Sequence, residues 1–435
     1  MNKQIICTAF AVVLAFSGYA QSGTNSPYSQ YGIGVLSDQS QGFSRGMNGV
    51  GLAYRKGNAV NTLNPASYSS IDSLTMIFDV GLSGQITNFK EGNTKINAKN
   101  ANFEYLVGSF RLLPKVGASF GVLPLSNIGY SYSSKTYLSD TYGTVSETYS
   151  GSGGLHQAFI GLGWEAVKNL SVGANVSYVW GTYERSVSTS SSSYVNTLSK
   201  DYTCNVNSYY IKLGAQWAKP LNATDVLTLG ATVGLGHDLN SNPTCDIVNI
   251  NTQAATSDTT RFVVDNGLKL PMSYGFGASW SRGDKLFVGA DFTLEQWGKL
   301  DFPDYYKTAN GDMTYALRSG LLKDRYKVNV GLDYVPSPSG QHMLGRVHYR
   351  FGAGYATPYY YINGKEGPKE LSVSAGFGIP LQRVTWNSRG HMRPLLNISA
   401  QWAHTSAKDL ITENTFRINV GLTFNERWFA KWKVE

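Results

Sequence analysis

From about residue 73 to the end of the chain, apolar residues alternate with small or polar ones in run after run. Val172, Ala174, Val176, Tyr178 and Trp180 interleave with Ser171, Gly173, Asn175 and Ser177. Leu227, Leu229, Ala231, Val233 and Leu235 do the same with Thr228, Gly230, Thr232 and Gly234. Residues two apart share one face of a strand, so this period predicts β-structure with one apolar and one polar face. The runs place strands at 73–88, 101–112, 115–131, 155–166, 170–184, 206–218, 225–236, 270–281, 284–297, 324–335, 345–357, 369–380, 393–404 and 414–424. Short connections such as Leu113-Pro114 alternate with long segments near 133–154, 185–205, 238–268 and 298–322, the asymmetry of periplasmic turns and extracellular loops. The serine-rich stretch 186–193 reads as a solvated loop tip.

No segment with helical period is available to cover the apolar faces. A barrel solves this, with lipid outside and a polar lumen inside. The expected fold is therefore all-β: a transmembrane antiparallel β-barrel of about 14 strands. Residues 21–72 do not alternate; they are rich in Gly, Ser, Asn and Tyr and read as compact irregular structure. The expected divisions are 1–20 signal peptide, 21–72 an N-terminal segment outside the wall, 73–424 barrel and 425–435 periplasmic tail.

Composition agrees. Among 435 residues only 15% are charged, while 28 tyrosines and 47 glycines stand out, a balance suited to a lipid-exposed wall with aromatic girdles. Lys3, the apolar run 5–16 and Gly18-Tyr19-Ala20 have the layout of a cleaved export signal. Export with barrel alternation implies the outer membrane of a Gram-negative cell. The net charge of +8 then implies contact with lipopolysaccharide phosphates and lumen ion pairs rather than nucleic acid. Cys204 and Cys245 fall at the open end of one hairpin, and an oxidising compartment permits a bridge between them.

Two stretches carry a resemblance. Gly46-Met47-Asn48-Gly49-Val50-Gly51-Leu52-Ala53 followed by Asn64-Pro65-Ala66 resembles the hatch of the FadL/TodX-like outer-membrane transporters. Leu270-Pro271 leading into Asp291-Phe292-Thr293-Leu294-Glu295-Gln296-Trp297 resembles a later pair of strands in that family. The resemblance implies that residues 21–72 form an N-terminal hatch in the lumen, and that the barrel is a channel for passive uptake of hydrophobic small molecules such as long-chain fatty acids, with lateral release through a kinked third strand. Pro124 interrupts a well-alternating third strand here, and proline deletes a ladder hydrogen bond. Leu123, Pro124, Leu125, Ser126 and Asn127 are therefore the candidate lateral opening.

Lys212, Asp291, Glu295, Lys327, Asp333, Arg346, Arg350 and Arg417 are expected to face the lumen. There they form either a network holding the hatch or an anion site around Arg346, Arg350 and Arg417. Glycines on the lumen face, among them Gly173, Gly230 and Gly352, leave room for a plug or ligand. The tail, with Arg427, Trp428, Phe429, Lys431 and Trp432, reads as an interfacial anchor or as a docking peptide for a periplasmic partner. Gly117-Ala118-Ser119-Phe120-Gly121 fits a nucleophile-elbow pattern but lies within an alternating strand, and the six histidines lack ligand spacing, so neither an enzyme nor a cofactor is expected. The polar loops argue against hydrophobe capture. The alternative function is an accessory barrel subunit of an outer-membrane secretion or protein-assembly complex, a role that FadL-like barrels take in the Bacteroidetes-type lineage.

Overall fold

The structure is a computed structural model and describes residues 24–139, 143–251, 253–381 and 394–427. The export signal, and Trp428, Phe429, Lys431 and Trp432 of the tail, lie outside the described residues. Fourteen antiparallel wall strands follow in chain order: β1 (Thr75–Glu91), β2 (Thr94–Leu113), β3 in two pieces (Val116–Pro124 and Ser126–Ser139), β4 (Gly143–Val167), β5 (Leu170–Ser191), β6 (Tyr194–Pro220) and β7 (Asp225–Leu235). The round continues with β8 (Ser273–Arg282), β9 (Leu286–Glu295), β10 (Arg325–Tyr334), β11 (His348–Ala356), β12 (Lys369–Pro380), β13 (Leu395–Ser406) and β14 (Thr412–Arg427). β14 pairs with β1 from Thr75↔Arg427 to Lys90↔Thr412, which closes the barrel. Closure pairs the spanning strands on both edges, as a bilayer demands, except at one break between β2 and β3.

The outward face is the apolar one. Leu82, Ile86, Ile160, Val176, Leu229, Phe276, Val330, Phe416 and Ile418 are all exposed, whereas the alternating Ser83, Asn175, Thr228, Asn329 and Asn419 are buried inside. Among the described residues no helix is long and apolar enough to cross a membrane; the strands do so instead.

Four expectations are corrected. The segments near 133–154 and 185–205 are not loops. The third strand continues to Ser139, β4 begins at Gly143, β5 runs to Ser191 and β6 starts at Tyr194, so these strands rise well above the lipid belt. Thr244–Asn251 and Thr256–Val263 extend this outer sheet by pairing onto β6. Polar residues line both faces of its upper part, and a few side chains such as Tyr149, Tyr183, Tyr202 and the two cysteines turn inward onto the buried cluster, so hydrophobic alternation could not reveal it. The Cys204–Cys245 bridge is not formed: both cysteines are buried free thiols. Cys245 stands opposite Tyr202, which makes Cys204 a diagonal neighbour rather than a cross-strand partner. Arg346 is not on a wall strand but ends a helical turn, Met343–Arg346, that leads into β11. The last strand also runs beyond 424 to Arg427, pairing with the start of β1.

Candidate functional site

The hatch winds around the inside of the wall, and wall glycines let its backbone touch the strands. A Cβ at Gly173 would come 2.5 Å from the Pro65 backbone, and one at Gly352 would overlap Met47. Gly230 against Leu52 and Gly117 against Tyr68 continue the same track. At Asn64-Pro65-Ala66 the local chemistry is a helical cap. Asn64 is extended, as a residue before proline must be, and its side-chain oxygen accepts from the Ala66 amide at 3.1 Å to start the 3-10 turn Pro65–Ser70. Its amide nitrogen donates to Leu52 at 2.8 Å and to Ala215 of β6 at 3.1 Å, joining hatch to wall.

Most of the expected lumen charges are engaged with one another or with the hatch. Asp291 is 6% exposed, and its Oδ2 accepts from the Gly51 and Leu52 amides at 2.7 and 2.9 Å. Asp333 accepts from Arg350 at 3.3 Å and contacts His348 at 2.9 Å; Arg350 also donates to Asn397 at 2.5 Å. Glu295 pairs with Arg325 at 3.2 Å and accepts from the Trp297 indole at 2.8 Å. Arg417 donates to Gln85 at 3.0 Å and Gln401 at 3.4 Å. Gln401, the partner of Arg417, lies four ladder positions from the Asn397 that Arg350 reaches, and Arg346 sits on its separate turn. The three arginines therefore do not converge on one anion.

Sequence reasoning missed the pair that fastens the middle of the hatch. Arg45 donates to Glu104 of β2 at 3.0 Å, both buried, and to the Asp38 carbonyl at 3.2 Å. Burial alone would raise the Asp38 carboxyl, but Arg45 and Lys327 beside it, with the Ser40 amide, hold it well below the usual carboxylate range. Its sequence trace is faint: Glu104 falls out of step with the alternation of β2, because it is the extra residue where β1 pairing passes from Gly81↔Tyr105 to Leu82↔Phe103.

That irregularity marks a break in the wall. β2 pairs with β3 from Leu113↔Val116 only as far as Leu106↔Val122. Beyond it, β3 pairs with β4, and its register slips by one residue between Pro124↔His156 and Ile128↔Gly153. Gly154 accommodates the bend at φ +140°, where a Cβ would strike the Ser126 carbonyl. The freed edge of β3 is not bare. A two-residue hatch strand, Val35–Leu36, pairs antiparallel onto it with Val35↔Asn127 and Leu36↔Ser126. The Ser37 amide donates to Leu125 at 3.0 Å, the Gln39 side chain donates to Pro124 at 2.7 Å and accepts from Gln157 at 2.5 Å, and Asn127 donates to Ser37 at 2.8 Å. Further out, the Ser29 hydroxyl accepts from the Gly129 amide at 3.1 Å, and the Asn25 and Asn100 side chains meet at 3.1 Å on the other lip. Leu123, Pro124, Leu125, Ser126 and Asn127 are thus drawn together with the hatch. Val35, 37% exposed, stands in the wall itself.

Inside the break is a cavity of about 210 Å³. Leu36, Leu63, Leu123 and Leu125 line it with Asp38, Lys212, Asp291, Glu295 and Lys327, so it is amphipathic. Above it, Tyr28, Ile33, Tyr130, Tyr183, Leu239, Trp297, Phe302, Tyr359 and Tyr360 form part of one buried cluster. This apolar roof fills the outer mouth, with Arg185 over the rings of Tyr183, Tyr202 and Phe302.

The BamG family model matches residues 1–435. Comparison with curated protein sequences finds no match. Among solved structures, the chain resembles a FadL homologue of Pseudomonas aeruginosa (TM-score 0.62, 11% identity, covering 90% of this chain and 99% of that one). It also resembles the Ralstonia pickettii toluene transporter TbuX (0.60, 14%, 89% and 98%) and the CymD monoaromatic hydrocarbon channel (0.58, 14%, 92% and 100%). At these identities the likeness is one of fold: an outer-membrane barrel of the FadL-like channel architecture.

Proposed function

The chain belongs to the BamG family, and on that premise we propose that it is a non-transport accessory barrel of an outer-membrane protein-assembly complex. The observation that carries this reading is the hatch strand seated on β3. The backbone groups that a lateral passage would leave open are hydrogen-bonded to the protein's own chain, at the point where a transporter of this fold needs a way out. The apolar roof over the lumen and the tall polar outer sheet favour the same reading, as does the Bam name of the family. On this view the barrel is a rigid membrane body that presents surfaces to partners. Purification of the tagged full-length protein in mild detergent tests it. A stoichiometric complex with other outer-membrane proteins is expected; a solitary barrel carrying hydrophobic small molecules refutes it.

One observation favours a second reading, passive passage of hydrophobic compounds. The 210 Å³ cavity has its leucines beside the break, and solved channels of this fold are named for toluene and monoaromatic hydrocarbons. Uptake of toluene into vesicles containing the barrel, faster than into empty vesicles, would support it.

A further inference from the structure

We propose that the outward face of the β1–β2 hairpin is a binding site for the phosphorylated glycolipid of the outer leaflet, lipopolysaccharide. This inference does not rest on the function proposed above.

The hairpin turns at Gly92, on the same side as the tall outer sheet and opposite the tight periplasmic turns. Its outward positions change character abruptly along the strands. Leu82, Ile86 and Phe103 are exposed to the bilayer, and Phe416 and Ile418 of the neighbouring β14 continue the apolar band. Beyond Ile86 come Asn88 and Lys90, and the facing residues of β2 are Lys99, Asn97 and Lys95. Three exposed lysines thus mark the upper edge of the hydrocarbon, where lipid headgroups lie: Lys99 level with Ile86, and Lys90 and Lys95 two positions farther out on each strand from Asn88 and Asn97.

The lysines lack local compensation. Lys90 and Lys95 are directly opposite cross-strand partners, an arrangement that repels. Lys99 follows two places on along the same face, about 13 Å from Lys95 by strand rise. Among the described residues no carboxylate lies within ion-pair distance of any of the three. The acidic residues of these strands face away: Glu91 is on the opposite face from Lys90, and Glu413 is paired inward with Ser26. A hollow of about 380 Å³ lies at this level, bordered by Asn88, Lys90, Lys95, Asn97 and Asn414 and by Phe89 and Ile96 of the opposite face. The amides add neutral donors beside the ammonium groups. Below, Gly84 faces Ala101, and a side chain at Gly84 would meet open space, leaving a shallow track between Leu82 and Ile86 for an acyl chain. Phosphate above and acyl chains below, in the outer leaflet, is the chemistry of lipid A. A zwitterionic phospholipid offers neither the sugar hydroxyls for the amides nor a comparable net charge.

The test uses full-length protein extracted from its own membrane in mild detergent, with bound lipid A measured per barrel by mass spectrometry. The variant K90Q/K95Q/K99Q is compared with K168Q/K219Q/K285Q, three lysines on or beside the tight turns at the opposite end of the barrel. Each lysine near an anionic surface is worth on the order of fivefold in affinity, so the hairpin variant should lose about a hundredfold and the control nothing. Folding is checked by heat-modifiable migration, and K99Q alone, on a regular stretch of strand, gives a partial loss where the triple variant does not assemble. Equal retention in the hairpin and control variants overturns the proposal. So does displacement of lipid A by phosphatidylglycerol vesicles or inorganic phosphate at matched phosphate concentration, which would mean the face is only a general anion attractor.

Discussion

Replacing Asp291 by alanine tests how the hatch is held. Its Oδ2 accepts two amides, from Gly51 and Leu52, in a site with 6% exposure. Hydrogen bonds to a charged group contribute roughly 1.5–3 kcal/mol each, so the pair is worth about 3–6 kcal/mol if both donors are left dry. They would not stay fully dry. Asp291 borders the 210 Å³ cavity, so water can enter and re-satisfy part of the loss. The Leu52 carbonyl also keeps its bonds from Asn64 and Gln216 at 2.8 and 3.0 Å. The net loss expected is therefore about 2–3 kcal/mol, confined to the hatch because Asp291 points into the lumen and its strand ladder is untouched. Hydrogen exchange at the Gly51 and Leu52 amides should accelerate about 30- to 150-fold, while the wall amides of β9 stay protected. Asp291→Asn, which keeps the shape and one neutral acceptor, should fall between. Unchanged exchange at both amides in Asp291→Ala would refute the anchoring role.

Arg45→Ala leaves Glu104 buried without its partner and should destabilise the seated hatch by about 3–5 kcal/mol, seen as new protease cutting near residue 45; Arg45→Ala with Glu104→Ala should be milder, and equal cutting in both would contradict the pairing. Gly173→Leu puts a side chain where the Pro65 backbone lies, so a barrel that still folds should show raised conductance in planar bilayers, whereas a closed barrel would show that the hatch adapts. Asp38 has a depressed folded pKa, so its stabilisation is complete above the unfolded value of about 3.9 and is lost as pH falls toward the folded value; the difference in bilayer conductance between the wild type and Asp38→Asn should be constant from neutral pH to about pH 5 and shrink only below about pH 4. A wild-type-minus-variant difference that changes near pH 6 would exclude that carboxyl. Cys204 and Cys245 should both alkylate after unfolding without reductant, and burial, which pushes Cys245 up to about 12, should keep it slow to react when folded; a mass two hydrogens lighter with no alkylation would establish a bridge instead.

Alternation alone determined the 14-strand wall, its lipid-facing residues and the inward placement of Asp291, Asp333 and Arg350, because side chains in a wall between lipid and water must change polarity every second residue. Lumen glycines left room for a plug or a ligand, and the resemblance of Asn64-Pro65-Ala66 to a hatch pointed to the plug; the structure sets the hatch backbone against those glycines. Pro124 marked the interrupted strand. What filled the interruption was not legible: Val35 and Leu36 are an unremarkable dipeptide, and only the closed barrel brings them beside Ser126 and Asn127. The same is true of Arg45 and Glu104, distant in the chain, and of the Cys204–Cys245 register, where a shift of two places separates neighbours from partners. The outer sheet escaped notice for the opposite reason. Water on both faces of its upper part removes the contrast that alternation depends on, and only pairing with adjacent strands decides that such a segment is a strand at all.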